Sequence, residues 1–367
     1  MTKLSAAIRS TLLEMPVAGV MAIALAAGFV ASTALGVRSV GGEALQFAGT
    51  RFQAPARFLW FYRDRLNIRF GAFTGLSAGW FWISWDLLGQ STTSKVAIGA
   101  DQWLFLRAEG EGEDARGLLP WTDDDMDRWL ERLEEWCAVS RASGVPLVIA
   151  IAPNKSSMLR ARMPVDEVAP FESTRYRELL RARESWPAEL QAAWLDLHET
   201  IEACGPESSY FRTDTHWNYR GADCAAEAIG DRLASVGVLA SGSSNMSIRE
   251  ETADGGDLAR MLGVAKRFTE RIEIPSRLAA IGGIEDLQAA PAPPSSPRSS
   301  QTPRVLLIHD SFGMILRDPL TSRFPGAAYE RGTPESMTGV ELASIIERES
   351  PDAVVISFVE RRLTGSP

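Results

Sequence analysis

The sequence holds three histidines, at positions 198, 216 and 309, so a mechanism that turns on an imidazole has few places to reside. His216 lies in the run YFRTDTHWNYRG, with Asp214 two residues before it. In a loop or extended turn that spacing lets a carboxylate reach the imidazole Nδ1, set its tautomer and stabilise the imidazolium formed when the ring takes a proton. The matching nucleophile is Ser311, in LLIHDSFG, directly after an apolar run of strand length. A serine on such a turn exposes its hydroxyl and aims its backbone N–H at the oxyanion of an attacked acyl carbon. Ser311 as nucleophile, His216 as base and Asp214 as orienter would perform acyl transfer. His309, at the last strand position, faces opposite to its neighbour and reads as a packed residue. His198, after Leu197 at an expected strand end, reads as structural or surface.

Residues around these three invite secondary roles. Lys155 follows a strand expected at Val145 to Pro153, where it could hold a carboxylated sugar, support the site or be a solvated loop lysine. Asn154 and Asn218 are candidate second donors to the oxyanion. Trp217 and Tyr219 could stack on sugar rings or pack the start of a helix.

The elements that must position these groups follow from periodicity. VAIGADQWLFLRAEG, from Val96 to Gly110, reads as strand, turn and strand. Asp123 to Ser143 has apolar residues at helical spacing and acids early, where the helix dipole favours them, and Gly144 closes it. VPLVIAIAP is a continuous apolar run, as expected of a parallel strand covered on both faces. Tyr176 to Arg183 reads as helix, Ala193 to Leu197 as a short strand, Arg220 to Val236 as an amphipathic helix. RVLLIHDSFG gives another buried strand, and ELASIIERESPDAVVISFVE a last helix and strand. This alternation predicts an α/β fold with a doubly wound, mostly parallel sheet, helices on both faces and ligands beyond the carboxyl ends of the strands. Ser241 to Gly283 has weaker periodicity and reads as an excursion from the sheet. Residues 289–303, AAPAPPSSPRSSQTP, are too poor in apolar side chains to pack and read as a disordered loop.

Composition bounds the rest. With 367 residues and 45% hydrophobic content, there is material for one large domain with additions. A net charge of −9 argues against nucleic acid as a partner. Three cysteines, at 137, 204 and 224, lack zinc-site spacing, so no metal is expected, and the acyl transfer above needs no cofactor. Cys204 and Cys224 flank the D-T-H-W segment and could pair in an oxidising compartment or stay as two free thiols. Met15 to Val37 is uncharged and long enough to cross a bilayer, with Lys3 and Arg9 before it, so residues 1–38 are expected to be a cytoplasmic N-terminus and membrane anchor. Residues 39–94 would be a connector, whose stretch from Gly71 to Gly89 carries Trp80, Trp82 and Trp85 and suits either core packing or an interface. Residues 95–367 would be the catalytic domain.

Four segments, in order, carry a family likeness: Gln102-Trp103-Leu104-Phe105, Pro153-Asn154-Lys155, Asp214-Thr215-His216-Trp217 and His309-Asp310-Ser311-Phe312. Across about residues 95 to 363 the chain resembles the SGNH-hydrolase-like alginate O-acetyltransferase family, marked by W-L-F, P-x-K, D-T-H-W and G-D-S-F segments. His309 and Gln102 stand where that family usually has glycine. The resemblance implies a periplasmic, membrane-anchored enzyme that moves acetyl groups onto a secreted polysaccharide through Ser311. It also implies a membrane-bound O-acyltransferase as acetyl donor. A carbohydrate acetylesterase would use the same groups with water as acceptor, and an inactive polysaccharide-binding scaffold would keep Asp214 and His216 for structure alone.

Overall fold

Three apolar runs of strand length become adjacent strands. In the computed structural model, which describes residues 91–242, 246–278, 281–297 and 302–367, β1 (Val96–Ile98) and β2 (Leu104–Leu106) pair antiparallel. The central sheet holds β3 (Leu147–Ala152), β4 (Trp194–Asp196), β7 (Val305–His309), β8 (Ala328–Arg331) and β9 (Ala353–Val359) in the order β4-β3-β9-β7-β8, every pair parallel. Between β4 and β7, β5 (Ile248–Asp254) and β6 (Thr269–Pro275) form a separate antiparallel ribbon, which is the excursion expected over Ser241 to Gly283.

Alternation along the central strands loads both faces. Val148, Ala150, Val305, Leu307, Ala353 and Val355 face one core, with helices α2 (Leu197–Cys204), α3 (Tyr219–Ser235) and α4 (Gly313–Arg323) packed over it through residues such as Ile201, Ile229 and Leu316. Ile149, Ile151, Leu306, Ile308, Val354 and Ile356 face the other, covered by α1 (Asp123–Ser143) and α5 (Gly339–Glu349) through Trp129, Leu133, Trp136, Leu342 and Ile345. A sheet buried on both faces has no use for polar alternation, which is why these strands read as unbroken apolar runs. The expected doubly wound arrangement is present, and its central sheet is wholly parallel among the described residues.

Helix α1 shows how the local rules act. Thr122 accepts from Asp125 N at 3.1 Å, three acids occupy the first turn, and Gly144 ends the helix at φ 66°. His198, expected at a strand end, lies in α2 instead, because Asp196 both ends β4 and caps the helix by accepting from His198 N at 2.9 Å. Cys204 and Cys224 are bridged, joining the end of α2 to α3, and Cys137 is a buried free thiol.

The anchor expected within 1–38 and the connector up to residue 90 lie outside the described residues; within them no helix is long and apolar enough to cross a membrane. The proline- and serine-rich run lies partly outside them, at 298–301. Its segment 290–297 has no regular secondary structure, and Ser296 N donates to Pro325 O at 2.6 Å.

Candidate active site

The carboxyl ends of β3, β7 and β9 lie side by side, and the residues after each build the site. After β7, the buried Asp310 shapes the turn: its carboxylate accepts from Phe312 N at 3.0 Å and from Val359 N, at the end of β9, at 2.9 Å. Ser311 follows, half-buried, and Gly313 opens α4. His309 replaces a glycine of the resembled family without blocking this turn, because Gly313 makes the room: a Cβ on Gly313 would stand 2.2 Å from His309 Cβ. Burial pushes the His309 imidazole down to about 4, so it is neutral at physiological pH.

The D-T-H-W loop runs between α2 and α3. His216 Nδ1 lies 2.7 Å from Asp214 Oδ1, with both residues almost wholly buried, and the same oxygen accepts from His216 N at 3.0 Å. Burial alone would raise the Asp214 carboxyl, but the adjacent imidazole and the N–H donors of Asp257 and His216 hold it at about 2. Two contacts carry this pair to the Ser311 turn. The His216 ring sits 4.7 Å from that of Phe312, and the Trp217 indole donates to Phe312 O at 3.0 Å. The Arg361 guanidinium, from the segment after β9, lies 5.5 Å from the same phenyl ring and donates to Glu109 Oε2 at 2.8 Å.

The secondary candidates turn inward. Lys155 is 2% exposed. Its ammonium donates to the carbonyls of Phe211, at 3.1 Å, Arg212, at 3.3 Å, and Asp214, with the rings of Trp103 and Phe105 at 5.8 and 5.6 Å. It is thus neither a solvated loop lysine nor placed to hold a sugar carboxylate; it clamps the D-T-H-W loop, and the W-L-F and P-x-K segments meet in it. Asn154 braces two strand ends, its N–H donating to Glu360 at 2.9 Å and its Oδ1 accepting from Arg361 N at 3.3 Å. Asn218 caps α3, accepting from Arg220 N and Gly221 N at 3.0 and 3.1 Å, while its Nδ2 donates to Ser208 O at 2.9 Å. Asn218 thus spends its Nδ2 on Ser208 O rather than on an oxyanion, whereas the contacts of Asn154 use its backbone N–H and Oδ1. Trp217 and Tyr219 are buried too, and Tyr219 OH donates to Asp318 at 3.4 Å, so both pack rather than offer faces to sugar rings. His198 is buried between the Tyr176 ring and Glu360.

Sequence reasoning missed the wall that the β5–β6 ribbon sets behind the loop. Glu270 accepts from Arg212 N and Thr213 N at 2.9 and 2.7 Å, and Gly256 N donates to Thr213 Oγ1 at 2.9 Å. Asp257 N donates to Asp214 Oδ2 at 2.8 Å. The available signal was Asp254-Gly255-Gly256-Asp257, since paired glycines mark close backbone approach: a Cβ on Gly256 would stand 2.3 Å from Asp214 Oδ2. Asp214, His216 and Asp257 offer ligand-type atoms within 4.8 Å of one another. Their carboxylate oxygens are turned to N–H and O–H donors, which is how a hydrogen-bonded array is built.

The "SGNH hydrolase-like domain, acetyltransferase AlgX" family model matches residues 96–292. The chain belongs to this family. The matched segment includes Asp214, His216 and Asp257 and ends before Ser311. The chain is 26% identical to "Probable alginate O-acetylase AlgJ" of Pseudomonas aeruginosa, over 73% of this chain and 70% of that one. It is 27% identical to the protein of the same name from Azotobacter vinelandii, over 77% and 73%. Its fold is similar to that of Bacillus cereus PatB1, solved with a sulfonyl adduct, at a TM-score of 0.52 and 14% identity over 74% of this chain and 96% of that one.

Carboxyl groups beside the site tie this domain's stability to pH. Burial pushes Glu111, which accepts from Ser156 Oγ at 2.7 Å, and Asp114 up to about 7 each. A carboxyl raised in the folded state holds its proton between about 4 and 7 while the unfolded chain has lost it, so stability falls as pH rises through that window. His309, held low, acts oppositely between about 4 and 6.5. The melting temperature is therefore expected to fall by a few degrees between pH 6.5 and 7.5, below the point near 8 where the buried Lys155 ammonium acts oppositely, and Glu111→Gln to flatten that slope. A melting series in which the two slopes coincide would refute the assignment.

Proposed function

We propose that this protein is an O-acetyltransferase that carries an acetyl group on Ser311 and passes it to a hydroxyl of a secreted polysaccharide. The observation that carries this reading is the buried Asp214–His216 pair, at 2.7 Å, held against the Ser311 turn through Phe312. In the first half-reaction His216 takes the Ser311 proton as Oγ attacks the acetyl carbonyl, and the donor leaves with that proton. In the second, a sugar hydroxyl gives its proton to His216, attacks the acetyl-serine and returns Ser311 to its starting state. The names of the AlgJ relatives support a polysaccharide acceptor. The uncharged run within 1–38 supports a membrane anchor with the catalytic domain in the periplasm, and a membrane-bound O-acyltransferase is the proposed acetyl donor.

The test is peptide mass spectrometry on the full chain after brief exposure to a chromogenic acetyl ester. One acetyl group is expected on the Ser311 peptide, lost when an oligosaccharide acceptor is added and recovered as acetylated sugar. Acetylated sugar formed without any acetyl-Ser311 would overturn the acyl-enzyme. Acetate formed with no sugar product would assign an esterase.

A further inference from the structure

Behind the Asp214–His216 pair stands a second carboxylate that the mechanism above does not use. Thr215 N donates to Asp257 Oδ1 at 2.8 Å and Thr215 Oγ1 to Asp257 Oδ2 at 2.6 Å. The Thr215 oxygen also lies 3.1 Å from His216 Nδ1. A hydroxyl that has given its one proton to a carboxylate can only accept from its other neighbours. Two acceptors, Thr215 Oγ1 and Asp214 Oδ1, therefore converge on His216 Nδ1, and only a protonated Nδ1 satisfies both. Nε2 is then the nitrogen that can act as base. We propose that Asp257 is a positioning residue that locks the imidazole tautomer through the Thr215 hydroxyl while its own N–H steadies Asp214; as a role in catalysis, this rests on the acyl-transfer reading.

Burial and the charge of Asp214 raise the Asp257 carboxyl to about 6, so at neutral pH it is the ionised acceptor that Thr215 needs. The ribbon is built to bring it there. Gly256 lets the chain approach Asp214 where a side chain would collide, and Glu270 holds the preceding residues of the loop.

Asp257→Asn separates the two roles. The asparagine keeps the backbone N–H and an acceptor for Thr215 N. Its Nδ2, however, donates to Thr215 Oγ1 and frees that hydroxyl's proton to point at Nδ1. In the full chain, kcat is expected to fall at least about 10-fold, a part of the 10²- to 10⁴-fold that a general base contributes, with KM little changed. Thr215→Val should lose a similar amount, Thr215→Ser should stay near wild type, and the double variant should be no slower than either single, since both act on one contact. The low-field proton resonance of His216 Nδ1–H at neutral pH should shift or vanish in Asp257→Asn and Thr215→Val.

An Asp257→Asn enzyme with wild-type kcat, or with a lowered melting temperature as its sole defect, would overturn the proposal. So would an unchanged Nδ1–H resonance. If the wild type shows no Ser311-dependent transfer, the acyl-transfer reading falls instead, and the resonance still decides whether Asp257 sets the tautomer.

Discussion

An enzyme carrying Ser311→Ala is expected to lose acetyl transfer almost entirely, with kcat down by about 10⁶-fold if the acyl-serine is obligatory, and to melt where the wild type melts. The two halves of this expectation have different physical sources. In the proposed mechanism activity goes because Oγ is the atom to which the acetyl bond forms. Stability stays because Asp310, not Ser311, holds the turn, through Phe312 N and Val359 N. The one hydrogen bond of Ser311 that supports α4 is made by its backbone carbonyl, which accepts from Met314 N at 3.2 Å and survives in alanine. The assay is steady-state transfer beside a thermal melt. An alanine variant retaining a tenth of wild-type kcat would remove the serine from the mechanism.

Asp214→Asn is expected to cost about 10⁴-fold in kcat, the scale on which a wrongly held imidazole tautomer is felt, and also 1–3 kcal/mol of stability, roughly one buried donor left facing another. Oδ1 accepts from His216 N and faces Nδ1, while Oδ2 accepts from Asp257 N. An asparagine amide has one acceptor for these two sides. With its NH₂ toward the imidazole it donates to Nδ1 and forces the proton onto Nε2. With its NH₂ toward Asp257 it points a donor at an N–H. Neither orientation keeps both the tautomer and the loop. A kcat loss below tenfold, measured with the same donor and acceptor, would exclude Asp214 as the orienter.

Much of this was legible in the sequence, for physical reasons. Leu147–Ala152, Val305–His309 and Ala353–Val359 could be read because strands covered on both faces must be apolar throughout. Asp123–Ser143 could be read because its caps, acids and apolar stripe all agree. The edge strand Ala328–Arg331 was not legible: it is four residues long and only partly covered, so its side chains carry no burial pattern. Helix Leu197–Cys204 was hidden because Asp196 serves as strand end and cap at once. The Asp214–His216 pair was readable since two residues of separation fix their reach. Asp257 was not, and the choice of site support among the three readings of Lys155 was not, because their roles depend on partners 42 and 59 residues away along the chain. Trp217 and Tyr219 show the remaining ambiguity: an aromatic side chain suits a sugar face and a core equally well, and only packing decides.

The bridge between Cys204 and Cys224 encloses the stretch that bears Asp214 and His216, so oxidation of two thiols ties the flanks of the site together covalently. The parallel strands need only their apolar faces to assemble. The loop is tethered at both ends only when the thiols have been oxidised, and such bonds persist outside reducing compartments. A chain held among thiol reductants would own the scaffold, yet would carry the proposed base, His216, and its orienter, Asp214, on a segment whose two flanking helices are not stapled together. On the proposed export of the domain, an oxidising compartment would staple this loop as well as receive it.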